Sequence, residues 1–199
     1  MTKQRFIKLL LSFVIGLALA SLISVYQIKS ERSKQNVVAK NFGGEFTLTD
    51  HTGKQVTDKD FAGQYRLIYF GFTYCPAICP TELQRMSSIL NALGDEGEGI
   101  QSIFITVDPE RDNAEIMKNY VVQFHPRLIG LTGTPEQIET AKKAYKIYAA
   151  KVQDETMSDY TMDHSSFIYF IDPDDNLLRI FKINDSVETM TNVIREQLK

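Results

Sequence analysis

Gly71-Phe72-Thr73-Tyr74-Cys75-Pro76-Ala77-Ile78-Cys79-Pro80-Thr81 holds both cysteines of the 199-residue chain, four positions apart and each followed by proline. Immediately upstream, Arg66-Leu67-Ile68-Tyr69-Phe70 is a β-branched and aromatic run that predicts a buried strand. Downstream, Leu83, Met86, Leu90 and Leu93 recur at helical spacing. The cysteines are therefore expected in a strand-to-helix turn. Pro76 and Pro80 either keep the chain non-helical until about Thr81 or stand in the first helical turn, where a missing N–H costs least.

That placement has chemical consequences. Unpaired N–H groups at a helix start favour negative charge, so a thiol there loses its proton more readily. The thiolate is the form that binds metal and exchanges disulfides. Three intervening residues allow either a disulfide or a two-thiolate metal clip, and both stay open on spacing alone. The bland alternative, two small buried hydrophobes that happen to be neighbours, is disfavoured because the only two cysteines cluster at a helix start.

The N-terminus has a different character. Lys3, Arg5 and Lys8 precede an uncharged apolar run from Leu9 to Tyr26, and Lys29, Arg32 and Lys34 follow it. The run is just long enough to cross a bilayer as a helix. A cleaved signal peptide is the rival, since Ala18-Leu19-Ala20 fits a small-x-small cleavage site, but the apolar run continues past it. An uncleaved anchor is therefore preferred. Residues 1–8 are expected to be a short tail, 9–27 a transmembrane anchor, 28–41 a polar linker and 42–199 a single α/β domain. Three basic residues on each side leave the positive-inside rule nearly balanced. A short tail and a long C-terminal domain favour export of the domain, where a cysteine pair needs a reductant to stay reduced. The first 35 residues carry +5 and the whole chain −3, leaving −8 on the remainder. An acidic domain argues against nucleic acid as a partner.

Within the domain, Phe46 to Thr49 and Gln55-Val56 flank a turn-rich segment and predict a hairpin. Strands are expected at Ile100–Val107, Leu128–Leu131, Ile147–Val152, Phe167–Ile171 and Leu177–Phe181. Helices are expected from the caps Asn113, through Phe124 with Ile116, Tyr120 and Val121 on one face, and Thr134 with Pro135 at the first position. Ser186 caps a last helix to about Leu198. Strand–helix alternation followed by an antiparallel hairpin and a helix predicts three layers around a mixed central sheet. Roughly 160 residues suffice for a core without disulfide staples.

A cysteine pair after the first central strand of such a sheet resembles the thioredoxin arrangement, with C-x-x-x-C in place of C-x-x-C. The third candidate is His164, in Met162-Asp163-His164-Ser165-Ser166 at the mouth of an apolar strand. Two thiolates and an imidazole make a soft three-point site suited to copper, Cu(I) above all, and also able to hold zinc. A closed zinc site usually needs a fourth ligand, which the sequence does not offer. His51, in a turn, and His125, whose charge would suit a helix end, read as structural. Asp108 reads as a turn former, with an electrostatic role around the site as a second possibility.

Gly71 to Leu83, Val107-Asp108-Pro109-Glu110-Arg111-Asp112, Phe124 to Gly130 and Asp163-His164 together resemble the Sco/SenC family, from about residue 42 to the C-terminus. The resemblance implies a membrane-tethered, thioredoxin-like copper protein with Cys75, Cys79 and His164 as the ligands of Cu(I) or Cu(II). It implies service to the copper-site subunit of cytochrome c oxidase during assembly, as copper donor, as reductant of its cysteines, or both. An upstream copper donor and a thiol reductant would be further partners. The domain would face the bacterial periplasm or the mitochondrial intermembrane space. Two positions depart from the family pattern: many relatives carry an acidic residue at Ala77 and often histidine at Tyr74. Neither is a ligand, and the alanine removes a negative charge that would disfavour a neighbouring thiolate. The alternative class is a metal-independent thiol–disulfide oxidoreductase using Cys75 and Cys79 as its redox pair; a peroxidase has no further support.

Overall fold

The computed structural model describes residues 13, 16–23, 38–153 and 159–199. They fall into two units divided between Val37 and Val38. In the first, residues 16–23 are helical, with Leu17, Leu19, Leu22 and Ile23 all exposed. Among the described residues no helix is long and apolar enough to cross a membrane. The rest of the expected anchor, and residues 28–37 of the expected linker, lie outside the described residues.

The second unit is built on a seven-stranded sheet in the order β2-β1-β5-β4-β3-β8-β9. Inside it, β3 (Tyr65–Gly71) is parallel to the middle strand β4 (Ile100–Thr106), which is parallel in turn to β5 (Leu128–Thr132). β8 (Ile168–Ile171) runs antiparallel to β3, and β9 (Leu177–Phe181) antiparallel to β8. β1 (Thr47–Asp50) and β2 (Gln55–Thr57) form the expected hairpin and join antiparallel to β5. The sheet is mixed, as the element order predicts. Strands β3 and β8 are almost continuously apolar because both faces are covered: Leu67, Ile68, Tyr69, Phe70 and all of β8 are buried. Val38 and Ala39 bond to Leu177 of β9, so the domain takes in residues just before Phe42.

Four helices cover the sheet: α1 (Ile78–Leu93), α2 (Ala114–Val121), α3 (Pro135–Ala144) and α4 (Val187–Gln197). The expected caps are in place. The side chains of Asn113, Thr134 and Ser186 accept from the N–H groups of Ile116, Gln137 and Thr189. α1 and α4 lie against each other, and Arg85 of α1 joins Glu82 at 2.6 Å while its other nitrogen reaches Met190 Sδ at 3.4 Å.

Of the two placements open to Pro80, the helical one holds: α1 begins at Ile78, with Pro80 inside the first turn where no N–H is required. Two local expectations need correction. α2 stops at Val121, three residues before Phe124, and the chain leaves through turn bonds from Gln123 N to Tyr120 O and Phe124 N to Val121 O. Its buried face is Met117 and Val121, while Ile116 is exposed. The second concerns the segment ahead of the apolar strand. It forms a strand of its own, β7 (Thr161–His164), paired antiparallel with β6 (Ala149–Val152) in a small separate sheet.

Candidate metal centre

β3 delivers the chain to the site, and its last residue must be small. A β-carbon on Gly71 would stand 2.8 Å from Cys79 Sγ and 2.8 Å from the Tyr69 ring. Glycine lets the first turn of α1 sit directly on the end of the strand. Phe72 is buried beside it, and Asp112 fixes the next residue. One carboxylate oxygen accepts from Thr73 N at 2.9 Å and Thr106 Oγ1 at 2.6 Å, and the other from Thr73 Oγ1 at 2.5 Å. Asp112 is fully buried, and burial pushes its carboxyl above the usual range although the threonine bonds pull the other way.

The two cysteines occupy unequal positions. Cys75 is partly exposed; Cys79 is fully buried in the first turn of α1, and both thiols are free. The N-cap of α1 is Ala77, which has no side-chain acceptor to offer. The sulfur of Cys75 takes that role, accepting from Cys79 N at 3.4 Å. Its pKa falls to about 5, chiefly through the hydrogen bond from the Cys79 thiol, against the opposing effect of partial burial. The N–H groups of Cys79, Ala77 and Ile78 add to the fall. Cys79 is pushed up by donating to Cys75, by burial and by the nearby Cys75 charge. One thiol is poised as thiolate and the other as its proton-bearing neighbour.

His164 closes the site. As the last residue of β7 it pairs with Ala149, and the following Ser165 N donates to Tyr148 O at 3.1 Å. Its ring stands edge-on to Phe72 and Tyr69. Nδ1 lies 3.2 Å from Ser165 O, an atom that only accepts, so the proton sits on Nδ1 and the lone pair on Nε2. Nε2 is 3.7 Å from Cys79 Sγ. Burial holds the imidazole pKa below its usual value, which keeps the ring neutral. From below, the Tyr69 hydroxyl donates to Cys79 Sγ at 3.7 Å. A cleft of about 290 Å³ opens between the cysteine turn and β7, lined by Phe72, Cys75, Ala77, Ile78, Met162 and His164.

Of the expected trio, Cys75 and His164 line one cleft, and Cys79 Sγ lies 3.7 Å from His164 Nε2. Among the described residues, however, no three His, Cys, Asp or Glu side chains are already gathered as a metal-ligating group. Cys79 and His164 face each other, and Cys75 joins them through Cys79. His51 and His125 are structural, as expected: His51 Nδ1 accepts from Gly130 N at 3.2 Å and His125 Nδ1 from Arg127 N at 3.1 Å. The expected positive charge on His125 is not favoured, because burial and then Arg127 lower its pKa. Asp108 does more than shape a turn. It is buried, pairs with Arg111 Nε at 2.5 Å and accepts from the Tyr160 hydroxyl at 2.8 Å. Asp112, Tyr69 and the requirement at Gly71 escape the sequence reading; in Asp112 the signal was an acidic residue ending a strand-exit turn, credited only to Asp108.

The SCO1/SenC family profile matches residues 34–199. The human mitochondrial protein SCO1 homolog is 42% identical over 163 residues, covering 78% of this chain and 53% of its own. The chain spans about half the length of such curated relatives. Among solved structures, Arabidopsis thaliana ScoI with copper bound superposes with a TM-score of 0.74 at 39% identity, covering 79% of this chain and 98% of its own. Bradyrhizobium japonicum ScoI with copper bound gives 0.72 at 41% identity, covering 79% and 99%. The mixed sheet with a cysteine pair at the start of its first helix is the thioredoxin-like fold of those structures, and the chain belongs to the SCO1/SenC family.

Proposed function

We propose that Cys75, Cys79 and His164 hold copper, and that the protein carries it as cargo to the copper-site subunit of cytochrome c oxidase during assembly. The observation that carries this reading is the 3.7 Å between Cys79 Sγ and His164 Nε2, with the imidazole lone pair free. Metal–sulfur and metal–imidazole bonds of about 2.3 and about 2.0 Å, meeting at a trigonal or tetrahedral angle, put their donor atoms about 3.6 Å apart. A metal fits between the two without moving either. The Cys75 sulfur, already thiolate at neutral pH, completes the set by turning toward that axis. Two thiolates and an imidazole are soft donors that suit Cu(I), and the imidazole extends the site to Cu(II). The copper-bound ScoI structures support copper as the metal.

The N-terminal segment 9–27 is read as the anchor that keeps this domain on the exported face of its membrane. Its support is the helix over 16–23, whose leucines and isoleucine are exposed with no polar face.

A second reading rests on the unequal thiols. A partly exposed Cys75 with a depressed pKa is a nucleophile, and buried Cys79 is placed to attack the resulting mixed disulfide and release a reduced partner. His164→Ala separates the two. Copper carriage predicts loss of Cu(II) binding and of its thiolate charge-transfer absorption, with residual Cu(I) on the cysteine pair, and failure of oxidase assembly as severe as in Cys75→Ser. Full rescue of assembly by the folded variant would overturn the copper mechanism in favour of thiol exchange.

A further inference from the structure

Among the described residues, the hairpin that carries His164 pairs with no strand of the main sheet. Two strands alone are marginally stable in water, so attachments to the body decide where that hairpin sits. Besides the bond from Lys142 Nζ of α3 to Ala149 O at 3.4 Å and the packing of the His164 ring on Phe72 and Tyr69, the side-chain attachments come from one turn, Asp108-Pro109-Glu110-Arg111-Asp112, which follows β4. Glu110 holds β6 through Lys151 Nζ at 2.5 Å. Arg111 holds the approach to β7. Its Nη1 donates to Tyr160 O at 2.9 Å and lies 3.6 Å from Asp159 Oδ2, and its guanidinium sits 3.7 Å from the centre of the Tyr160 ring. Tyr160 closes the loop by donating its hydroxyl to Asp108, the carboxylate that pairs with Arg111 Nε.

The same guanidinium lies 4.8 Å from the centre of the Tyr74 ring, on the residue directly before Cys75. Among the described residues Arg111 Nη2 is buried with no hydrogen-bond partner, and the guanidinium carbon lies 3.7, 4.8 and 5.9 Å from the centres of the Tyr160, Tyr74 and Phe72 rings. Cation–π contact accounts for that arrangement. Asp112, at the end of the turn, holds Thr73 on the cysteine side. One five-residue turn therefore grips both the loop bearing Cys75 and the strand bearing His164, which lie 89 positions apart in sequence.

We propose that Arg111 is a positioning residue: in contact with the rings of Tyr74 and Tyr160 and paired with Asp108, it sets the separation of His164 from the cysteines. This rests on the reading of His164 as a metal ligand. Lysine replaces it only in part, because an ammonium keeps the charge and a cation–π contact but does not lie flat on a ring or donate as a planar fork.

The test uses the full chain in detergent, reduced, with Arg111→Ala, Arg111→Lys, Tyr160→Leu and His164→Ala. Two quantities are read: Cu(II) affinity with its charge-transfer spectrum, against Cu(I) affinity by chelator competition; and amide hydrogen exchange in the metal-free protein. Arg111→Ala and Tyr160→Leu are expected to weaken Cu(II) at least tenfold and shift its band, while Cu(I) binding stays within about threefold, with Arg111→Lys in between. Exchange at Ser165 and in β7 should accelerate at least tenfold while β3 and β4 stay protected. Wild-type Cu(II) affinity and spectrum in both variants, with both lost in His164→Ala, would overturn the proposal. Unchanged exchange in β7 would overturn it too. If His164→Ala itself keeps the Cu(II) spectrum, the ligand assignment fails instead, and the exchange data alone decide whether Arg111 holds the hairpin. Should Arg111→Ala unfold the domain, Tyr160→Leu, at the rim of the fold, decides between the outcomes.

Discussion

Gly71 and Cys79 are in such close approach that a β-carbon on the glycine would stand 2.8 Å from the cysteine sulfur. The last residue of β3 thereby sets how near the buried thiol comes to the sheet. Gly71→Ala must push back Cys79, the Tyr69 ring and Phe104 together, since all three stand within 3.1 Å of the added carbon. Overpacking of this kind costs about 1–3 kcal/mol. Denaturant unfolding of the metal-free domain should register that loss, and a neutral substitution would mean that the helix can retreat freely.

The unequal thiols predict unequal reactivity. Alkylation of Cys75 in the reduced, metal-free protein should rise with a midpoint near pH 5, its folded value being about 5, while Cys79 stays unreactive at neutral pH. Because the folded value of Cys75 lies below the ordinary thiol value of about 8.5, its contribution to stability is full above that pH. It is lost progressively as pH falls to about 5. Cys79 acts in the opposite sense: its contribution is full below the ordinary value and is lost as pH rises past it. A Cys75 midpoint at or above the ordinary value would remove the electrostatic basis of the site.

At position 77 the chain lacks a helix cap, and the Cys75 sulfur fills in for it. Ala77→Asp supplies both a capping oxygen and a negative charge beside the sulfur. The variant should gain about 1 kcal/mol in stability while the Cys75 alkylation midpoint moves upward. An unchanged midpoint would mean that the first-turn N–H groups do not govern this thiol.

Asp112 accepts three hydrogen bonds in a buried position, so its removal strands three donors. Asp112→Ala should cost about 3 kcal/mol or more. Asp112→Asn keeps one acceptor oxygen for Thr73 N and Thr106, and its amide donates to the Thr73 hydroxyl, so the loss should stay near 1 kcal/mol, about one hydrogen bond's worth. Burial raises the Asp112 pKa, so the wild type gives up stability at this site as pH climbs above the ordinary carboxyl value, and the asparagine variant should not. Unfolding curves at pH 4 and pH 7 for the three proteins check both statements.

The anchor reading predicts that the full chain stays with membranes through an alkaline wash and keeps its first residues. A chain starting at Val38, where the second unit begins, should be released and folded. A mature N-terminus at Ser21 in the soluble fraction would replace the anchor with a cleaved signal.

Sequence alone determined the strand–turn–helix around the cysteines, the three side-chain caps, the order of the elements and the mixed character of the sheet. These are written in neighbours two to four residues apart, through alternation, helical spacing and caps. Pro80 illustrates the boundary of that reading: its two permitted placements are equivalent locally, and packing of Cys79 against Gly71 selected the helical one. The rest was decided by distance along the chain. Thr73 meets Asp112 across 39 positions and Cys79 meets His164 across 85, and no local pattern encodes such pairings. β7 was hidden for a related reason. Its four residues, Thr161-Met162-Asp163-His164, carry no buried apolar face of their own, so pairing with β6 makes them a strand where composition does not. Only the assembled sheet brings the turn 108–112 between the two chain segments, and with it the contacts that place an imidazole beside a buried thiol.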